Sequence, residues 1–149
     1  MLQVGTRAPE FTLEDQDGRE VSLTDFLNRG RLLLYFYPAD FTPGCTREAC
    51  AIRDMHADIQ SSGLVVAGVS PQLPERHQKF RSHHSLPFTL LADPQRTVIR
   101  MYEADGPLGW VRRITYLIDR DRRIRDAVKA SFRISVHENF IRRALSTQA

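Results

Sequence analysis

This 149-residue sequence holds only two cysteines and a single tryptophan. Two cysteines are too few to staple a small disulfide scaffold, so the fold must rest on a buried core. Long apolar runs are missing as well. Nothing approaches the roughly 20 consecutive apolar residues of a membrane-spanning helix. The opening MLQVGTRAPEF lacks the basic stretch and apolar run of a secretory leader. The expectation is a cytoplasmic protein with no membrane association. In that reducing compartment a cysteine pair is more often catalytic or metal-binding than structural. A large excess of charge is absent too, the net charge being +3. Arg120, Arg122, Arg123 and Arg125 cluster, and Arg142 and Arg143 follow near the end. Asp119, Asp121 and Asp126 interleave the first group, and no aromatic residue does. That pattern reads as solvated surface rather than a nucleic-acid site. No internal repeat, low-complexity segment or linker interrupts the chain. What is there is ordinary globular material, 42% hydrophobic and 26% charged, enough for one domain over residues 1–149.

The apolar pattern predicts an element order. FTLEDQDGREVSL reads as two short strands about a turn at Asp17-Gly18. Residues 32–37 (LLLYFY) and 64–70 (LVVAGVS) are continuous apolar runs, the sign of strands buried on both faces. A helix is expected between them, from about Cys45 to a stop at Gly63. Residues 74–84 read as a polar helix, 87–91 as a short strand and 95–102 as a short helix. Residues 113–118 and 124–129 read as a hairpin. Residues 135–145 form an amphipathic helix with Val136, Phe140, Ile141 and Leu145 on one face. Strand, helix and second buried strand make a parallel crossover unit. Adding the hairpin and last helix gives an α/β, thioredoxin-like fold. Its mixed central sheet is flanked by helices and carries an N-terminal β-hairpin extension.

Both cysteines fall in FTPGCTREAC, as Cys45 and Cys50. Cys45 follows Pro43-Gly44 at the junction of a buried strand and a helix, where catalytic groups often lie. A free thiol of pKa about 8.5 is only about 3% ionised at pH 7. Reaching about 90% thiolate requires roughly 3.4 kcal/mol of differential stabilisation. A helix N-terminus supplies about 0.3–2 kcal/mol, so a cation or hydrogen bonds to sulfur must add to it. At 100° per residue Cys45 borders the apolar stripe of Ala49, Ile52 and Ile59, whereas Cys50 lies about 140° away. In an intact helix their Cα atoms are about 8.7 Å apart, beyond the roughly 4.4–6.8 Å that a disulfide spans. The first turns would have to unwind for the two to bond. Plainer readings stand beside this one: Cys45 as a small core hydrophobe, Cys50 as a bystander. Zinc would need two more ligands. His56, His77, His83, His84 and His137 show no paired spacing with the cysteines, and His83 and His84 should not face one side of a helix. No metal or cofactor is expected.

Pro38, Thr42 and Cys45, in YPADFTPGCTREAC, resemble the active-site loop of the peroxiredoxins. The second cysteine five positions on is similar to the bacterioferritin comigratory protein, or PrxQ, branch. The likeness continues through GTRAPEFTLEDQDGREVSL, LLLYFYP, VVAGVSPQ, LPFTLLAD and RRITYLID. The resemblance implies a thiol peroxidase acting on hydrogen peroxide and organic hydroperoxides. It makes Cys45 the peroxidatic cysteine and Cys50 the resolving cysteine of an intrachain disulfide, recycled by thioredoxin. It gives Thr42 a place at the peroxide oxygens and Pro38 the shaping of the pocket. It makes Arg113, rather than Arg112, the missing cation. Alternation along the strand puts Arg113, Thr115 and Leu117 on one face. Glu48 is expected to support the loop at most. Phe41 stands where relatives often have a smaller or polar residue, and residues 104–111 (ADGPLGWV) depart from the family pattern. Trp110 is expected to roof the pocket or cover the sheet. The branch is often monomeric, which sets the expectation for this chain. A redox sensor or partner-binding module with little turnover is the alternative that the same thiol chemistry permits.

Overall fold

The computed structural model describes residues 1–147. A seven-stranded sheet runs in the order β2-β1-β5-β4-β3-β6-β7. Its centre is β3 (Arg31–Phe36), with every residue buried, paired parallel to β4 (Leu64–Ser70). The continuous apolar runs thus form the two-sided strands that the sequence implies. Side chains alternate: Leu32, Leu34 and Phe36 enter one core layer, while Leu33, Tyr35 and Tyr37 enter the other. β5 (Thr89–Ala92) continues the parallel set beside β4. β6 (Ile114–Ile118) and β7 (Ile124–Lys129) extend the other side antiparallel. The N-terminal hairpin of β1 (Thr12–Glu14) and β2 (Glu20–Ser22) joins the far edge through the pairing of Glu14 with Ala92.

One face of the sheet is covered by α1 (Leu23–Leu27) and α5 (Thr97–Met101). The other carries α2 (Pro43–Asp54), α3 (His56–Ser61), α4 (Pro74–His83) and α6 (Ile134–Ser146). The helix expected from Cys45 to Gly63 is two helices. Met55 divides them, with its side chain turned into the core. No glycine or proline marks that break in the sequence, so packing against β4 sets it rather than local propensity. The stop at Gly63 holds, at φ +75°. Helix α1 escapes the apolar pattern because it has one and a half turns, yet its capping box of Ser22 and Asp25 is present. The buried stripe of α6 is Ile134, His137, Phe140, Ile141 and Ala144, with Val136 and Leu145 at its margins. Residues 104–111 form a short 3-10 turn, Pro107–Gly109, closed by a bridge between Asp105 and Val111. Trp110 follows that turn with about half its surface exposed (49%).

The basic clusters are largely engaged by the chain itself. Arg122 donates to the Ala8 carbonyl, Arg125 pairs with Asp119, and Arg143 lies over the Phe140 ring and within 3.8 Å of Asp126. None of the described helices is long and apolar enough to cross a membrane.

Candidate active site

The chain leaves β3 at Tyr37, runs through Pro38 to Thr42, and enters α2 at Pro43. Pro43 fixes φ for the first helical position and has no N–H to satisfy. The N–H groups of Gly44 and Cys45 have no intrahelical acceptor, and Thr46 donates to the Thr42 carbonyl. Cys45 therefore sits in the first turn, with two free backbone donors and the positive end of the helix around it. Its side chain is 2% exposed. Cys50 is part-exposed on the same unbroken helix, and both thiols are free.

Arg113 precedes β6 and reaches over to this helix. Its Nη2 donates to Cys45 Sγ at 3.3 Å, and its Nη1 donates to Glu48 Oε1 at 2.6 Å. Arg113 is itself 4% exposed. Gly44 leaves it room, since a Cβ there would lie 3.2 Å from Nη2. The sequence alternation holds: Arg113, Thr115 and Leu117 share the face beneath α2 and α6. Thr42 donates its hydroxyl hydrogen to the Ala39 carbonyl at 2.8 Å, which leaves its lone pairs free to accept. Pro38 is half-buried, with its carbonyl 3.4 Å from Ser70 Oγ.

Glu48 has a larger part than the loop support expected of it. It is almost fully buried and holds the second arm of the Arg113 guanidinium. Its Oε2 has no hydrogen-bond partner and lies 3.7 Å from His137 Nδ1. His137 Nδ1 is 2.8 Å from Thr115 Oγ1, and its Nε2 is 2.9 Å from the Ala130 carbonyl. A carbonyl only accepts, so Nε2 carries the ring proton. Burial pushes the His137 imidazole down, the Ala130 carbonyl opposing and Arg113 reinforcing. Its neutral form then accepts from Thr115 through Nδ1. Burial pushes the Glu48 carboxyl up to about 7 against the pull of Arg113, with Glu138 adding to the rise. For Arg113, burial works against the charge, but Glu48 and Cys45 beside it prevail and hold it charged.

A raised carboxyl binds more protons folded than unfolded between its two pKa values. The stability it confers is full below the ordinary carboxylate range, about 4.3, and is lost as pH rises towards 7. Glu48→Gln should remove this decline. Urea denaturation at stepped pH should show the variant gaining on wild type from about pH 4.5 to 7. An unchanged or opposite trend would refute the buried-acid account.

The loop before Cys45 has a second anchor that sequence reasoning missed. Tyr37 donates to Asp40 Oδ1 at 2.6 Å, and His77 Nδ1 lies 2.5 Å from Asp40 Oδ2. His77 Nε2 is 3.0 Å from the Leu91 carbonyl, and the Asp40 N–H donates to Gln72 Oε1. Asp40 and His77 are buried, so this end of the loop is tied to α4 and β5. The available signal was slight: Asp40 stands between Ala39 and Phe41, whereas His77 is flanked by Arg76 and Gln78 in a polar helix, and only its spacing of three from Phe80 hints at a buried face. Glu48 gave a similar one: on the helical wheel it falls about 40° from Ile52, inside the buried stripe.

Phe41 occupies the left-handed region at φ 64°, which costs an ordinary residue roughly 1–2 kcal/mol. Its ring rests on α4, 5.1 Å from Phe80, with the Arg76 guanidinium 4.8 Å above it. Helix α4 ends at His83, so His83 and His84 do turn to one side. Their rings are 4.7 Å apart, and both lie within about 6 Å of Phe41.

Residues 4–127 match the AhpC/TSA family. Rv2521 of Mycobacterium tuberculosis, which bears the peroxiredoxin name, is 42% identical over 97% of this chain and 96% of its own. Peroxiredoxin Bcp of Escherichia coli K12 is 38% identical over 94% and 93%. The crystal structure of peroxidoxin BcpB from Mycobacterium tuberculosis superposes with a TM-score of 0.92, at 32% identity and 98% and 97% coverage. With that likeness over nearly its whole length, and with Cys45 and Arg113 in contact at a helix start, the chain belongs to the AhpC/TSA family as a peroxiredoxin of the Bcp/PrxQ kind.

Proposed function

We propose that this peroxiredoxin reduces hydrogen peroxide and organic hydroperoxides with Cys45 as the peroxidatic residue and Cys50 as the resolving one. The observation that carries this reading is the hydrogen bond from buried Arg113 to Cys45 Sγ at the start of α2. A guanidinium and free backbone N–H groups around one sulfur favour the thiolate. The thiolate attacks the O–H oxygen of the peroxide. An S–O bond forms, the O–O bond breaks, and hydroxide or alkoxide leaves and is protonated. Arg113 faces the charge that develops during this step. Thr42, its own hydrogen given to Ala39, accepts from the peroxide O–H and orients it. Pro38 shapes the pocket wall.

Cys45 is then a sulfenic acid. The Cys50 thiol attacks its sulfur, water leaves, and the Cys45–Cys50 disulfide forms. In α2 the two Cα atoms are about 8.7 Å apart, so the first turns of the helix unwind for this step. A dithiol reductant of the thioredoxin kind returns two electrons by thiol–disulfide exchange. The setting is the reducing cytoplasm, the working unit is a single-domain monomer, and the role is antioxidant defence.

One equivalent of peroxide should remove two hydrogens from the protein and yield Cys45–Cys50 cross-linked peptides. Thioredoxin, its reductase and NADPH should then sustain turnover. Protein that forms the disulfide yet consumes no NADPH would instead be a redox sensor. Protein untouched by peroxide would sink both readings.

A further inference from the structure

Arg113 is placed between two groups that can each be an anion, Cys45 and Glu48, and all three are buried. The other titratable neighbours supply no second cation. Tyr35 and Tyr37, from the β3 side, have phenols pushed well up, by burial first and then by the surrounding acids. Asp40 is committed to Tyr37 and His77. On α6, Glu138 adds negative potential, and His137 offers Nδ1 as an acceptor already taken by Thr115. Glu48 Oε2 therefore faces a lone pair and has no donor. One guanidinium balances one anion. A thiolate and a carboxylate together would leave a net buried negative charge, which is costly.

We propose that Glu48 holds the proton that Cys45 gives up, so that Arg113 supports one buried anion at a time. The exchange is Cys45–SH + Glu48–COO⁻ → Cys45–S⁻ + Glu48–COOH. The S–H bond breaks, an O–H bond forms on Oε2, no electrons are transferred, and the buried charge is unchanged. Oε2 is the oxygen left open, because Oε1 accepts from Arg113. The two sites are linked thermodynamically, whatever path the proton takes through solvent. The inference rests on Cys45 being the reactive thiol. Once Cys45 is a neutral sulfenic acid, Arg113 is free for the carboxylate again. Glu48 then releases its proton as the departing alkoxide takes one up. Glu48 touches no reacting atom, so it is a positioning residue that adjusts the charge of the site.

This role has the opposite sign from mere support of Arg113. If Glu48 only held the guanidinium in place, its loss would weaken the thiolate. If it competes for the cation, Glu48→Gln keeps an acceptor for Nη1, removes the rival charge and strengthens the thiolate. The test is the pH dependence of iodoacetamide alkylation, in a Cys50→Ser background so that one thiol reports. Adding Glu48→Gln should move the alkylation midpoint down by about one pH unit or more, making reaction below it roughly tenfold faster. A midpoint that stays or rises overturns the proposal.

Should that variant fold poorly, the reciprocal experiment keeps Glu48. The ¹³C resonance of its side-chain carboxyl is titrated with Cys45 present and with Cys45→Ser. Linkage requires the Glu48 midpoint to fall, in the serine variant, by the amount that Glu48 shifts Cys45. No shift overturns the proposal. Neither arm reads peroxide turnover, so a protein that titrates in this way yet reduces no peroxide would contradict the proposed function alone.

Discussion

Replacing Cys45 by Ser should lower peroxide consumption by at least about 10⁴-fold, because it removes the nucleophile proposed above. A serine hydroxyl is not ionised near neutral pH, and Arg113 cannot make it so. The fold should tolerate the change, since it exchanges one small buried side chain for another. Cys50→Ser should behave differently. It keeps the first reaction, one peroxide per chain, and then stops at the sulfenic acid. The mass should rise by one oxygen rather than fall by two hydrogens, and further peroxide should add second and third oxygens. Stopped-flow tryptophan fluorescence and intact mass would separate the two outcomes. A Cys50→Ser protein that cycles with thioredoxin as wild type does would remove Cys50 from the resolving role.

Arg113→Met should cost about 10²–10³-fold in the second-order rate with peroxide, the size expected when a buried donor to developing charge is lost. Two effects combine: the sulfur loses its cation, and the breaking O–O bond loses its positive partner. Arg113→Lys should not restore the rate. A single ammonium cannot hold Glu48 Oε1 at 2.6 Å and Cys45 Sγ at 3.3 Å in the fixed fork that a guanidinium provides. Peroxide kinetics under pseudo-first-order conditions measure this directly. A lysine variant within threefold of wild type would show that charge alone suffices and that the fork is incidental.

The parts of this molecule legible in the sequence are those with a local signature. The two-sided strands announce themselves as apolar runs, while Arg113 is chosen over Arg112 by the resemblance to the family, and alternation adds only that it shares a face with Thr115 and Leu117. The cysteine loop carries its own spacing. Less legible were features made by distant segments. Asp40 and Gln72 from two loops meet with His77 from α4, and His137 reaches Thr115 from the last helix. Asp40 stands between apolar residues while His77 is flanked by Arg76 and Gln78, and in neither case does the sequence name a partner. Glu48 was underestimated for that reason: its place on the wheel was readable, while its attachment to Arg113 depends on the sheet. The division at Met55 and the shared side of His83 and His84 had no sequence cue, because each is decided by where a helix ends against its neighbours.

That division has a mechanical consequence. The first bond of the following helix runs from the Ile59 N–H to the Met55 carbonyl, and its later bonds lie wholly beyond that point. Opening the turns around Cys45 and Cys50 breaks none of them. In the cycle proposed above, residues 56–61 keep their own hydrogen bonds when the twelve residues ahead open. Met55 thus stands as a firebreak: the disulfide we propose can open one helix without breaking a hydrogen bond inside the next.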